Sequence, residues 1–514
     1  MIEIEHNGSE ILNLYRVEDV SVALQFSKKQ SLISQFYDIA DQNPNDIIIW
    51  YHTKLKDDIN RPYILNNFKD YMMWSYASNT YLGDAIGYVE DSPFLKIAKD
   101  VKYPTWLMTS NCGVIHARQL LKFKNTVKDK NLDFALNSIG KLGLTNGLWC
   151  YSSPQILLRP DIVKSKSANI NNLYKFIASH YKKRWILLLF INLLIYEKRF
   201  TLVSLCYGLF FKKRTVDFKI ELSTPNSEVN KRNFSLDVII PTMGRKKYLY
   251  DFLKDLKEQS TLPSKVIIVE QNPEPTSSSE LDYLNDDEWP FEVKHIFIHQ
   301  TGACNARNIA LDLVTSEYVF FADDDIRLED KELLERTFKT FAQLDINAIN
   351  LACLQVNETD TVKNIKQWAA FGSASSMVLS RCVKNLRFNM ALEHGYGEDV
   401  DFGMQLRNIG EDVIYAPNLK LLHLKAPIGG FRSDIKSLNE TTNNQLLPKP
   451  SPTIMLFRML HTTKAQLSGY KTTLAIKYYK AQNVKNPFAY IKQFKKRWRI
   501  SEDSAINLIN QNNH

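Results

Sequence analysis

From residue 236 to residue 322 the chain repeats one pattern. A short aliphatic or aromatic run meets a turn former, and an amphipathic stretch follows. LDVII at 236–240 is stopped by Pro241, and the apolar spacing over 247–259 predicts a helix after it. KVIIVE at 265–270, residues 292–298 and YVFFA at 318–322 read as further strands, with a helix over 303–313. This alternation predicts an α/β fold, a largely parallel sheet with helices on both faces. Ligands of such sheets bind beyond the carboxyl ends of the strands. Pro241, Glu270 and Asp323 fall at or just past strand ends, so one shared edge is expected.

The first part of the chain reads as a second α/β unit. DIIIWY at 46–51 reads as a buried strand, 105–110 and 112–116 as further strands, and 117–123 as a helix. Asp84, Glu90 and Asp91 lie in an irregular stretch and are expected at the surface. The most hydrophobic run is WILLLFINLLIY at 185–196, followed by a second apolar run at 200–211. Basic clusters at 182–184 and 212–214 bracket them. Each run falls short of the roughly 20 apolar residues that span a bilayer. A buried or surface-lying helical hairpin is expected, with contact to a membrane surface as one reading. The expected organisation is an α/β unit over 1–160, a helical hairpin and linker over 161–231, a second α/β domain over 232–435, and a basic, mainly helical extension over 436–514.

Composition narrows this picture. The 514 residues exceed what one core serves. Hydrophobic residues at 44% and charged residues at 24% describe a folded chain rather than a disordered one. From residue 451 onward, eleven Lys or Arg stand against two acidic residues, which equals the formal net charge of +9 for the whole chain. That basic surface would attract phosphate-bearing partners, or serve only as a solvated helical face. Six cysteines without a CxxC pair suggest neither a disulfide framework nor a zinc site. A reducing, cytoplasmic compartment is expected, and MIEIEHNGSE does not read as a signal peptide.

Three polar clusters carry candidate chemistry. Asp323, Asp324 and Asp325 follow YVFFA directly. Adjacent carboxylates repel one another and call for a positive partner. Mg²⁺ or Mn²⁺ is the natural one, with Asp323 and Asp325 converging on it and Asp324 making another contact. The plain alternative is an acidic turn before a helix at 328–338. In TGACNARNIA at 301–310, Asn305 and Arg307 open an apolar helix whose N-terminus would receive a diphosphate. Arg307 pairing with a nearby carboxylate is the structural alternative. In HGYGEDVDFGMQLRNIG at 394–410, Glu398 and Asp399 sit at a helix start. One of two close carboxylates can act as a general base. Asp399 is the favoured base, with Glu398 on acceptor hydroxyls. An acidic helix N-terminus is the other reading. His423 ends an apolar run, as a third metal ligand or a packed strand histidine.

These residues together resemble the inverting glycosyltransferases of family 2, which have the GT-A fold. Five signals occur in order: VIIPTMGR at 238–245, VIIVEQN at 266–272, GACNARNIA at 302–310, FFADDD at 320–325 and GYGEDVDFGMQLRNIG at 395–410. The resemblance spans about residues 234–430. It implies that Pro241, Thr242 and Arg245 line the nucleotide pocket and that Glu270 contacts the base. Glu270 is followed by Gln271 and Asn272, where many members have an acidic pair and Gly-Ser. It also implies that Asn305 and Arg307 lie near the diphosphate, with Asp324 close by. Asp323 and Asp325 would form the DxD metal motif with His423, and Gly372 and Ser373 would wall the sugar and acceptor site. Asp399 would be the base. The Gly-Glu-Asp stretch is also similar to animal β-1,4-galactosyltransferases and to the second domains of bacterial polysaccharide polymerases. That points to galactose or an N-acetylhexosamine, with a UDP-sugar favoured as donor. A glycan or lipid-linked acceptor at the inner face of a membrane is implied, in surface polysaccharide synthesis. The first unit resembles the same fold more faintly, through WLMTSNCGVIHARQLLKF at 106–123, as a degenerate domain.

Two other functions stay open at this point. A nucleotidyltransferase would use similar acidic ligands, but PTMGRKK at 241–247 makes a weak phosphate loop. A non-catalytic scaffold binding nucleic acid or a membrane would use KQFKKRWRI at 492–500, although no recognised nucleic-acid module accompanies it.

Overall fold

The computed structural model describes residues 1–16, 30–160, 164, 166–218, 234–427 and 446–512. The chain divides into two compact units. One comprises Met1–Ser223 with Thr462–Gln482, the other Thr224–His461 with Asn483–His514. The expected boundary near residue 232 lies outside the described residues. The hairpin region belongs to the first unit, and the C-terminal region is shared between both. These divisions differ from the separate 161–231 and 436–514 segments expected from composition.

The first unit holds a mixed sheet, β2-β1-β3-β6-β4-β7-β5. Its strands are β1 (Ile2–His6), β2 (Ile11–Arg16), β3 (Ile47–His52), β4 (Met72–Ser75), β5 (Tyr103–Pro104), β6 (Cys112–His116) and β7 (Trp149–Ser152). The strand expected at 105–110 does not form. There, side chains take the backbone amides that a ladder would need. Asn137 Oδ1 accepts from Met108 N at 3.2 Å, Ser75 Oγ from Thr109 N at 3.2 Å and Asp133 Oδ1 from Ser110 N at 2.6 Å. Glu90 is not at the surface. It is 7% exposed and pairs with Lys141 and with the Tyr181 hydroxyl.

The second unit carries the alternating pattern. Its strands are β8 (Leu236–Thr242), β9 (Lys265–Gln271), β10 (Glu292–Ile298), β11 (Tyr318–Ala322), β12 (Ile326–Arg327), β13 (Ala348–Gln355), β14 (Lys366–Gln367), β15 (Ser375–Leu379) and β16 (Ile414–His423). The sheet order is β10-β9-β8-β11-β15-β13-β16-β12, with β14 on β16. β10, β9, β8 and β11 are parallel neighbours. β15 is antiparallel to both β11 and β13, and β13 is parallel to β16. β11 and β16 therefore point the same way, and their carboxyl ends share one edge. Buried Val, Ile, Phe and Ala fill β8, β9 and β11 on both faces, as expected of a sheet covered by helices. The helix expected at 328–338 lies later, at Leu333–Leu344, because β12 intervenes after the acidic turn.

Candidate active site

The shared edge holds a cleft of about 330 Å³ within the second unit. Pro241 and Arg245 come to it from the end of β8 and the turn beyond. Asp323, Asp324 and Asp325 come from the end of β11. Ala303, Cys304 and Arg307 come from the Ala303–Leu311 helix, Glu393 and Glu398 from the 392–398 segment, and His423 and Lys425 from the end of β16. The pairing of Ile326 with His423, across β12 and β16, sets the imidazole beside Asp325.

The three aspartates have different partners. Asp323 Oδ1 accepts from Arg307 Nη2 at 2.8 Å, and 29% of its side chain stays exposed. Burial raises its carboxyl against the pull of Arg307, and the charges of Asp325 and Asp399 add to the rise. Asp324 turns into the wall and is 3% exposed. It accepts from Thr242 Oγ1 at 2.7 Å and from Arg245 Nη1 at 2.8 Å. Burial pushes it up to about 7 despite both donors. Asp324 is thus the anchor that holds Arg245 toward the cleft. Asp325 Oδ2 accepts from Ala426 N at 2.9 Å and lies 3.2 Å from Arg245. Burial raises Asp325, but His423, the Ala426 amide and Arg245 outweigh it and hold the carboxyl below the usual range. The same pairing holds His423 above the usual imidazole range.

Among the described residues, no three His, Cys, Asp or Glu side chains are already gathered as a cation site. The residues present still suit a hard divalent ion. Among the described residues Asp325 Oδ1 is buried without a hydrogen-bond partner, and His423 Nε2 stands 3.4 Å from it as an ion-pair neighbour. An orphaned carboxylate oxygen beside an imidazole and a second carboxylate is a ligand set for Mg²⁺ or Mn²⁺. The cleft lining counts five carboxylates (Asp323, Asp324, Asp325, Glu393, Glu398) against Arg245, Arg307 and Lys425.

Glu398 and Asp399 open the Glu398–Asn408 helix, whose N-cap Gly397 takes a φ of 120° that favours glycine. Glu398 lines the cleft. Asp399 is outside the lining, with Oδ1 accepting from Ser373 N at 3.1 Å, and its charge bears on both Arg307 and Asp323. Ser373 therefore acts on Asp399 through its amide. Gly372 is needed beside it, since a Cβ there would meet Asn350 Nδ2 at 2.5 Å.

Other expected residues stand elsewhere. Glu270 is outside the cleft lining and 7% exposed. Its carboxylate takes His295 Nε2 at 2.9 Å, the Ser279 hydroxyl and the Glu280 amide at 3.1 Å. Burial raises it, but those donors bring it below the ordinary carboxylate range. It ties down the loop after β9. Asn305 is also outside the lining, and its side chain reaches Gln300 O at 3.4 Å.

Two residues escaped the sequence reading. Glu393 places its carboxylate on the start of the 303–311 helix, accepting from Cys304 N at 3.0 Å and Asn305 N at 2.7 Å. That is the position expected to receive a diphosphate. The helix has no side-chain cap of its own, with Gly302 at its N-cap. A capless helix start was the one available signal. His461, at the end of the Pro452–His461 helix, sets Nε2 2.6 Å from Asp401 Oδ1 and so steadies the Glu398–Asn408 helix. Its distance from Asp401 in sequence left no local signal.

Residues 237–395 match glycosyl transferase family 2. No curated protein matches the chain. Among solved structures, S. aureus TarS is similar at 16% identity over 46% of this chain and 42% of that chain, with a TM-score of 0.33. This chain thus spans less than half of that protein. TarS 1-349 in complex with UDP-GlcNAc is similar at 16% identity over 53% and 79% of the two chains, with a TM-score of 0.35. The mannosyltransferase PcManGT from Pyrobaculum calidifontis, solved with GDP-Man and Mn2+, is similar at 16% identity over 55% and 88%, with a TM-score of 0.32. The superpositions are loose, and the family match covers 159 of the 514 residues.

Proposed function

We propose, from the premise that residues 237–395 form a glycosyl transferase family 2 domain of GT-A fold, that this chain moves a hexose or N-acetylhexosamine from a nucleotide-diphosphate sugar to a hydroxyl of a glycan or lipid-linked acceptor, with inversion. A UDP-sugar is the favoured donor, and surface polysaccharide synthesis at the cytoplasmic face of a membrane is the favoured setting. The observation that carries this reading is the meeting of Asp323, Asp325, Arg307, Arg245, His423 and Glu398 around one cleft at the carboxyl edge of the sheet.

The chemistry assigns each group a task. Arg307 and Arg245 already face carboxylates at the rim, and a diphosphate would compete for both guanidiniums. A divalent ion held by Asp323, Asp325 and His423 would neutralise charge on the departing diphosphate. Asp399 takes the proton from the acceptor hydroxyl. The acceptor oxygen forms a bond to the anomeric carbon as the bond to the diphosphate oxygen breaks, and the nucleoside diphosphate leaves. Glu398, which lines the cleft, orients acceptor hydroxyls. Ser373 keeps Asp399 in one rotamer and is a positioning residue. The first unit, which we read as a degenerate transferase-like domain, would bind acceptor or partner.

The test is nucleoside diphosphate release from a panel of nucleotide sugars with Mn²⁺ or Mg²⁺, followed by NMR of the product anomer. Asp323→Asn and Asp399→Asn should each lower transfer by at least about 10²-fold. Full transfer by both variants would end the assignment. Release of pyrophosphate would point to nucleotidyl transfer, and an unchanged anomer would exclude inversion.

A further inference from the structure

The helical pair at Arg184–Glu197 and Leu202–Leu209, in the first unit, turns large apolar residues outward, and its second helix is built inside out. In the second helix the buried positions are Ser204 and Gly208. A Cβ at Gly208 would meet Tyr174 Cβ at 3.2 Å, so the small residue lets the helix sit close on its neighbour. The large apolar residues face outward, with Val203 82% exposed and Phe210, just past the helix end, 85% exposed. The first helix is apolar on both sides: it buries Ile186, Leu189 and Leu193 and still turns further large apolar residues outward. Asn192 is buried, its Oδ1 accepting from Thr472 Oγ1 at 2.6 Å, while Leu187 is 55% and Ile195 48% exposed. Phe200, between the helices, is 71% exposed. A helix facing water shows the opposite arrangement, with its apolar stripe inward. A contiguous apolar face of this kind marks a binding surface rather than chance exposure.

The surrounding charge selects the partner. Residues 182–213 contain seven Lys or Arg and one acidic residue, Glu197. Lys182 and Lys183 precede the first helix and Arg184 opens it, Lys198 and Arg199 lie between the two, and Lys212 and Lys213 follow the second. A second copy of the chain would bring these basic rims together and meet repulsion. An anionic bilayer accepts both the apolar face and the rim. Among the described residues, no helix is long and apolar enough to cross a membrane. We propose that this helical pair seats on the surface of an anionic lipid bilayer, with Phe200, Val203 and Phe210 entering the acyl boundary and the lysines at phosphate level. The proposal names the surface for the membrane setting given above. It rests on the helical pair alone, so it can fail while the reading of the cleft stands.

Cys206 is exposed on this face and offers a site for an environment-sensitive fluorophore. The full chain should sediment with vesicles of phosphatidylcholine and phosphatidylglycerol, with a blue shift of the Cys206 probe. It should bind pure phosphatidylcholine much more weakly. Phe200→Ser, Val203→Ser and Phe210→Ser combined should weaken partitioning by at least about 10²-fold. Lys212→Glu with Lys213→Glu should weaken it by at least about 10-fold, with loss of the phosphatidylglycerol preference. All five positions are exposed, so melting temperature should stay unchanged. Three results would overturn the proposal. The wild type could fail to bind the anionic vesicles. The triple serine variant could bind them as well as the wild type does, which would move the contact to the basic C-terminal tail. Light scattering could show a wild-type dimer that the serine variant dissociates, which would assign the face to a second copy.

Discussion

Replacing Glu393 by alanine should make the protein less stable and a better binder of nucleoside diphosphate at the same time. The carboxylate accepts from two amides at the start of the 303–311 helix, at 3.0 and 2.7 Å. A helix start carries about half a positive charge and leaves its first amides without partners inside the helix. Removing an acceptor there costs about 1–2 kcal/mol. In a domain of this size that lowers the melting temperature by roughly 2–8 °C. The same amides are the ones a diphosphate would use, and it must first displace the carboxylate. With the carboxylate gone, the affinity for UDP with Mn²⁺ should rise by up to the same free energy, about 5- to 30-fold. Titration calorimetry with UDP and a thermal melt of the same two proteins decide the matter. A variant with a lower melting temperature and unchanged or weaker UDP binding would refute the reasoning. Glu393 would then be a cap and nothing more, and the diphosphate would sit elsewhere.

Gly302 takes a φ of 145°, and a Cβ there would stand 2.3 Å from the Glu393 carboxylate. Gly302→Ala should therefore cost about 2–4 kcal/mol in a denaturant melt. Adding Glu393→Ala should return the part due to the clash, so a strictly additive double variant would contradict the contact. In the first unit, burial raises Asp129, but Arg214 at 2.6 Å and Lys175 at 2.7 Å outweigh it and depress its pKa. Its stabilisation is present above the ordinary value of about 3.9 and fades as pH falls through and below it. Asp129→Asn should cost about 2–3 kcal/mol at pH 7, discounted for the partly exposed cations. It should also flatten the acid limb of the stability curve, and an unchanged acid limb would remove Asp129 from the account. Asp325→Asn should abolish most of any rise in melting temperature caused by Mn²⁺, and EDTA should do the same to the wild type. A rise that survives in Asp325→Asn would place the ion on other groups.

The strands of the second unit were legible because buried parallel strands leave continuous runs such as LDVII, KVIIVE and YVFFA. Those runs also located the edge, since Pro241 and Asp323 follow strand ends whatever the fold's details. What escaped depends on partners distant in sequence. Glu393 caps a helix that starts 90 residues earlier, and His461 meets Asp401 from a tail read only as basic. Glu270 was carried over as a nucleotide contact, yet His295 and Ser279 fill its acceptor sites. Residues 105–110 have strand-like composition, but side chains of Ser75, Asp133 and Asn137 compete for their amides. Local pattern reports which face is buried. It does not report who satisfies a polar group from across the fold.

The charge of the cleft links these points. Five lining carboxylates against three permanent cations leave a charge of −2, which His423, held above the usual imidazole range by Asp325, offsets by one where it is protonated. If Asp324, pushed to about 7, also holds its proton, the cleft is at −1 with His423 neutral. A diphosphate carries like charge and would be repelled from the rim that the arginines and the helix start otherwise make attractive. Two changes remove the repulsion. Displacing Glu393 from the helix takes one negative charge off the phosphate position. A divalent ion at Asp325, whose Oδ1 has no hydrogen-bond partner among the described residues, would cancel two more. On the proposed reading, the cleft would take a donor together with a cation. Its affinity for uridine should depend little on Mn²⁺, while its affinity for UDP should depend on it strongly.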